Sequence, residues 1–174
     1  MKRNVIIALL CLVGMVCRAA DLRLVSGGID CLKGEKFVAA EIDCSKATWR
    51  ERFTFDAYLE TARRVEGWEV KSMEYFNEWF NDEVANLTAV TDKEKVNYTF
   101  VVMVRNVNRY GNITSDILLV DNRSGETVAT FYFQSSDGDE KDHITFRDPM
   151  KQAGECMGKA IRKYFRNGKI DRIK

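Results

Sequence analysis

The chain has 174 residues, 45% hydrophobic and 11% aromatic, with a single proline. That is enough to build about one domain with a sizeable core, and it excludes a disordered or collagen-like chain. Its 27 basic and 26 acidic residues give no single-sign field to gather a polyanion, so nucleic acid is not an expected partner.

The first twenty residues differ from the rest. Lys2 and Arg3 form a positive start, residues 5–17 are an apolar run, and Ala19 offers a small residue for cleavage. This is the pattern of a secretory signal peptide over residues 1–19, too short for a membrane span. Val16 before Cys17 and Leu10 before Cys11 are the wrong residues for lipid attachment, so no lipid anchor is expected. Removing residues 1–19 takes Lys2, Arg3 and Arg18 from the 27 basic residues and none of the 26 acidic ones, leaving a net charge of −2. The expected mature chain is then one domain, residues 20–174, periplasmic or extracellular, with no transmembrane segment.

Three cysteines remain in that chain: Cys31, Cys44 and Cys156. An odd count implies at least one free or intermolecular thiol. Residues 21–32 and 36–43 read as a hairpin turning at Gly34–Glu35, a two-residue loop suited to a type II′ turn. In that register Val25, Ile29, Cys31, Val38, Ala40, Ile42 and Cys44 share one face, and Asp30, Glu41 and Asp43 the other. Cys31 and Cys44 are then roughly 20 Å apart along the strands, too far for a disulfide. Three buried thiols, or a bond from Cys156 to one of the other two, both fit.

Residues 54–66 have helical spacing, with Phe55, Tyr58, Leu59, Ala62 and Val65 in phase and Thr54 as N-cap. Gly67 ends or kinks this helix. A second follows over 68–87, with Met73, Phe76, Phe80, Val84 and Leu87 as its apolar stripe; its carboxylates read as a solvated face. Residues 96–135 are three β-rich runs joined by turns at Gly111–Asn112 and residues 122–125, an antiparallel meander. Those turns place Tyr98, Phe100, Val102, Val104, Ile117, Leu119, Val128 and Tyr132 on one face. Val101, Met103, Leu118, Val120, Ala129, Phe131 and Phe133 fall on the other. Both faces are apolar, so either helices cover both or one face meets another molecule. Val101, Met103, Leu118, Phe131 and Phe133 are the candidate interaction residues.

Residues 136–145 read as a polar, acidic loop. A last helix starts at Asp148 as N-cap and Pro149 at the first turn, and stops at Asn167–Gly168. Gly154 and Gly158, four apart, allow close approach to a sheet or another helix.

Catalytic signals are sparse. The single histidine, His143, has no nucleophile motif to serve. Zinc spacing is absent, and the run from Asp137 to Asp142 has its glycine at the second position rather than the sixth of a calcium loop, with no closing glutamate at the right distance. No phosphate-binding glycine pattern occurs. The expectation is no catalytic residue, no metal and no cofactor. An enzyme or small-ligand protein using the 136–145 loop is the alternative.

Gly27-Gly28-Ile29, Leu32-Lys33-Gly34, Gly67-Trp68, Trp79-Phe80-Asn81, Ala153-Gly154 and Gly158-Lys159 resemble small exported proteins of Gram-negative gut anaerobes. The turn from Val120 to Val128, with its Ser124-Gly125-Glu126 tip, is similar to a hairpin in envelope proteins. These share the fold of the TolB amino-terminal domain and the curli-secretion lipoprotein. The resemblance implies an envelope interaction module and transfers no catalytic residue. The expected fold is α+β: a five-stranded, mostly antiparallel sheet, hairpin plus meander, packed with two or three helices. The expected function is non-enzymatic binding or assembly through contacts with an envelope or extracellular protein, a second copy of itself included.

Overall fold

The computed structural model describes residues 20–61, 66–136, 138, 146–170 and 173. The expected signal peptide lies outside them. The described chain begins with β1 (Asp21–Gly27), β2 (Phe37–Asp43), β3 (Thr48–Trp49) and β4 (Phe53–Thr54). Two helices follow, α1 (Phe55–Thr61) and α2 (Trp68–Glu83). After β5 (Thr88–Val90) come β6 (Tyr98–Val107), β7 (Ile113–Asp121) and β8 (Thr127–Gln134), and then α3 (Arg147–Asn167).

The meander forms as the pattern of residues 96–135 requires: β6, β7 and β8 are consecutive antiparallel neighbours. The rest of the sheet corrects the five-stranded, mostly antiparallel expectation. Among the described residues it is an eight-stranded mixed sheet in the order β1-β8-β7-β6-β2-β5, with the β3–β4 hairpin joined to β6 through β3. β1 pairs antiparallel with β8, whereas β2 runs parallel to both β5 and β6, and β3 parallel to β6.

The predicted hairpin between β1 and β2 therefore does not exist; the two strands flank the meander on opposite sides. After Gly27, whose φ of +75° needs no side chain, the chain passes the turn end of the meander, near Tyr164 of the last helix, through a 3-10 turn over Asp30–Leu32. Ile29 and Leu32 are fully buried along that crossing. The Gly34 turn aims β2 at the side of β6 rather than back at β1. Strands β3, β4 and β5 have only two or three residues each, too few for an alternating pattern to register.

Both long helices lie on one face of the sheet, side by side and parallel. Phe146, just before α3, meets Trp68 at the start of α2, with ring centroids 5.6 Å apart. Eight residues on, an added Cβ at Gly154 would sit 2.3 Å from the Phe76 carbonyl oxygen. At the far end Arg162 and Glu83 are 2.8 Å apart. Gly154 thus does what its spacing suggested, and the partner is a helix. α3 ends at Gly168 (φ +68°), whose N–H donates to the Tyr164 carbonyl at 2.7 Å, the left-handed cap expected of Asn167–Gly168. It starts with Arg147 rather than after an Asp148 cap.

Under these helices the sheet presents Phe100, Val102, Val104, Ile117, Leu119, Ala129, Phe131 and Phe133, all buried. Phe80 and Phe76 pack on Phe100 at 5.9 and 6.4 Å. The sequence register was right for β6 and β7 and wrong by one residue for β8. Asp121 closes the turn through its own carboxylate, accepting from the N–H groups of Arg123 (2.8 Å) and Ser124 (3.2 Å). The pairing then slips between Leu119↔Ala129 and Val120↔Thr127. One slipped residue sends every β8 side chain to the opposite face.

Candidate functional site

The face of the sheet turned away from α2 and α3 is built from the alternate residues of the same strands. Register fixes two rows across it. One runs Asp43, Met103, Asp116, Tyr132, Arg23; the next runs Glu41, Val101, Leu118, Thr130. Val120 and Val128 extend the centre at the turn end. Val101, Met103, Leu118, Val120, Val128, Thr130 and Tyr132 are all half-buried.

The candidate residues therefore divide. Val101, Met103 and Leu118 sit together on this face. Phe131 and Phe133 do not: the slip in β8 places both, fully buried, under the helices. Thr130 and Tyr132 occupy the positions they were expected to fill.

Charged groups ring the aliphatic centre. Arg23 on β1 lies over the Tyr132 ring, 4.6 Å from its centroid. Arg105 and Asp116 pair across β6 and β7, with Asp116 almost covered. At the opposite border Lys93 reaches Glu41 at 2.8 Å, and the hydrogen bond to that carboxylate raises the Lys93 ammonium above its ordinary value. Asp43 accepts from the Ser45 N–H at 2.8 Å, and bonding to Ser45 holds its carboxyl low. Asp43 is thus presented as an anion at neutral pH. A shallow depression of about 340 Å³ opens beside Val101 and Val120, bordered by Glu41, Lys93 and Asn122. Asn122 is structural there: it accepts from the Thr99 hydroxyl (2.8 Å) and donates to the Val96 carbonyl (2.9 Å).

On two edge strands, devices that sequence reasoning missed occupy the outward backbone groups of one residue each. On β5, the Thr88 N–H donates to the Lys36 carbonyl next to β2, so Ala89 faces outward. There the Asn81 side chain takes both Ala89 groups, accepting from its N–H at 2.6 Å and donating to its carbonyl at 3.1 Å. On β1, Leu22 exchanges two 2.9 Å hydrogen bonds with Ile173. An asparagine at a helix end is a weak signal, and one paired residue after α3 leaves no period to read.

A larger depression of about 520 Å³ lies between the β3–β4 hairpin and α1, bordered by Lys46, Glu51, Arg52 and Asp56. At the hairpin tip Arg50 and Glu51 both have positive φ, 53° and 61°, conformations that cost a non-glycine residue about a kcal/mol or more. Hydrogen bonds from Arg50 N–H to the Val107 carbonyl (2.8 Å) and from Glu51 N–H to Asn106 Oδ1 (3.0 Å) hold them there. The tip is thus accounted for by its docking on β6.

Cys31, Cys44 and Cys156 are all unpaired thiols. Burial pushes each upward, Cys156 to about 11, so they are neutral and weakly nucleophilic near neutral pH. Among the described residues no three His, Cys, Asp or Glu side chains gather to hold a metal, and no helix is long and apolar enough to cross a membrane. Of the 136–145 loop only Ser136 and Gly138 are described; His143 and the acidic run lie outside.

No family model matches the chain, and no curated protein matches it. Among solved structures it is similar to a PelC dodecamer from Paraburkholderia phytofirmans. That match has 10% identity and a TM-score of 0.43, covering 77% of this chain and 96% of that one. A variant PelC dodecamer from the same organism matches at 12% identity and a TM-score of 0.39, covering 68% and 82%. The likeness is a coarse one of fold.

Proposed function

We propose that the protein is an exported, non-enzymatic binding or assembly protein that works through protein contacts in the envelope or outside the cell. Its contact surface is the helix-free face of the sheet. The observation that carries this reading is the one-sided covering of the sheet. Val101, Met103, Leu118 and Val120 form a contiguous aliphatic strip that no element of the described chain covers, bordered by Arg23, Arg105, Glu41 and Lys93. An apolar centre inside a polar rim is the anatomy of a protein–protein interface. The edges add weight, because Asn81 and Ile173 occupy the outward backbone groups of Ala89 and Leu22 and hinder strand addition at those two points.

The test is site-specific photo-crosslinking in the native cell. A photoreactive side chain at Leu118 or Met103 should yield a discrete protein adduct in the exported fraction, while one at Glu74, exposed on α2, should not. Equal adduct patterns from both sides of the molecule would remove the face from the account.

A further inference from the structure

The charges around the open face are distributed so that the face complements itself. From β1 to β2 it runs Arg23, then Tyr132 and Thr130, then Asp116 and Leu118, then Met103 and Val101, then Asp43 and Glu41. Arg23 stands on the β1 border and Asp43 on the β2 border, where the neighbouring Glu41 is already paired with Lys93; β7 lies midway between them. Rotating a second copy by 180° about an axis along β7 lays face on face. It keeps the strands aligned, as sheets prefer to pack, and exchanges the two borders. β8 then covers β6, and each Arg23 comes over Asp43 of the other copy. Leu118 meets its own equivalent at the centre. Asp116 also lies near the axis, but it is 8% exposed and already paired with Arg105, so two bare carboxylates are not opposed.

We infer that the occupant of the open face is a second copy of this chain, in a two-fold, face-to-face arrangement. This rests on the reading of that face as a contact surface and names its partner. The size is consistent. Five strands about 4.8 Å apart and some six residues long present roughly 24 by 20 Å, so a pair would bury about 1,000 Å² over both copies. That is the lower limit for a specific interface and fits a reversible dimer. Edge-to-edge growth is the competing mode, and it is hindered where Asn81 takes the outward groups of Ala89 on β5 and Ile173 those of Leu22 on β1.

Sedimentation equilibrium of the purified mature chain over a concentration series tests this. The wild type should show a monomer–dimer equilibrium and no larger species. Leu118→Arg, which sets two cations on the axis, should be monomeric throughout. Arg23→Glu should weaken association by about tenfold or more, because each contact occurs twice in a two-fold pair. Glu41→Lys with Asp43→Lys should do the same. An equimolar mixture of these two charge variants should regain the affinity, since each border then meets its opposite. Circular dichroism melting controls for folding, and Arg23 and Glu41 are accessible enough for substitution to leave it intact.

Failure of the mixture to recover, or undiminished association of Arg23→Glu, would overturn the two-fold arrangement. A strictly monomeric wild type whose Leu118 crosslinks to a different polypeptide would overturn self-pairing and leave the binding reading standing. Association that survives Leu118→Arg, together with no Leu118 crosslink, would overturn both.

Discussion

The two faces of this sheet are made by the same strands, residue by alternate residue, yet they obey different rules. Facing α2 and α3, Phe100, Ile117, Phe131 and Phe133 are wholly buried, and Phe76 and Phe80 fill the space above. On the other side Val101, Met103 and Leu118 stop at half-burial, and Arg23, Arg105 and Glu41 stand around them. Apolar composition alone does not separate a core from a contact surface. What separates them is the neighbour above and the charge at the border. A sealed face specifies the fold; a face ringed by charge can still exchange water for a partner.

That difference can be broken first at its strongest point. Phe131→Ala should cost about 3–5 kcal/mol in denaturant unfolding. A change under about 1 kcal/mol would show that the residue faces outward, as the uncorrected register had it. The helix layer is the next lever. An added methyl at Gly154 would press on the Phe76 carbonyl at 2.3 Å, a backbone atom that cannot turn aside. Gly154→Ala should therefore destabilise by about 1–3 kcal/mol, less whatever helix propensity returns. At Gly158 the nearest atom is Glu83 Cβ at 2.6 Å, with the Phe80 carbonyl at 3.0 Å. Gly158→Ala should cost less, and the reverse order would contradict the parallel packing of α2 and α3.

A smaller effect separates face from edge. Asn81→Ala removes both hydrogen bonds to Ala89 and should lower stability by about 1–2 kcal/mol. It should also create a second mode of association, one that persists when Leu118→Arg is added. If the doubly substituted chain is monomeric, the Asn81 amide is not what guards the β5 edge.

Much of this was legible in the residues. Long periodic runs gave the meander, α2, α3 and the Gly154 contact, because 3.6- and 2-residue periods are local properties. Val101, Met103 and Leu118 were correctly grouped because no bulge intervenes between them across β6 and β7. The slip at Asp121–Glu126 was not legible: it depends on a carboxylate bonding its own turn, and it exchanged Phe131 and Phe133 for Thr130 and Tyr132. Nor was the partner of β1, since strand pairing across a hundred residues leaves no mark in one strand's pattern. Gly34–Glu35 suits a hairpin in isolation and became something else because β6 offered β2 a longer neighbour. Arg23 and Glu41 joined the site only once topology set them on opposite borders of one face.

The central claim is that no element of the described chain covers the face around Leu118. Denaturant unfolding of Leu118→Arg, at dilution low enough that association adds nothing, measures that most directly. An uncovered face predicts a loss under about 1 kcal/mol, the range of surface substitutions. A loss of about 3 kcal/mol or more, as for a charge forced into a core, would mean that the chain itself seals that face.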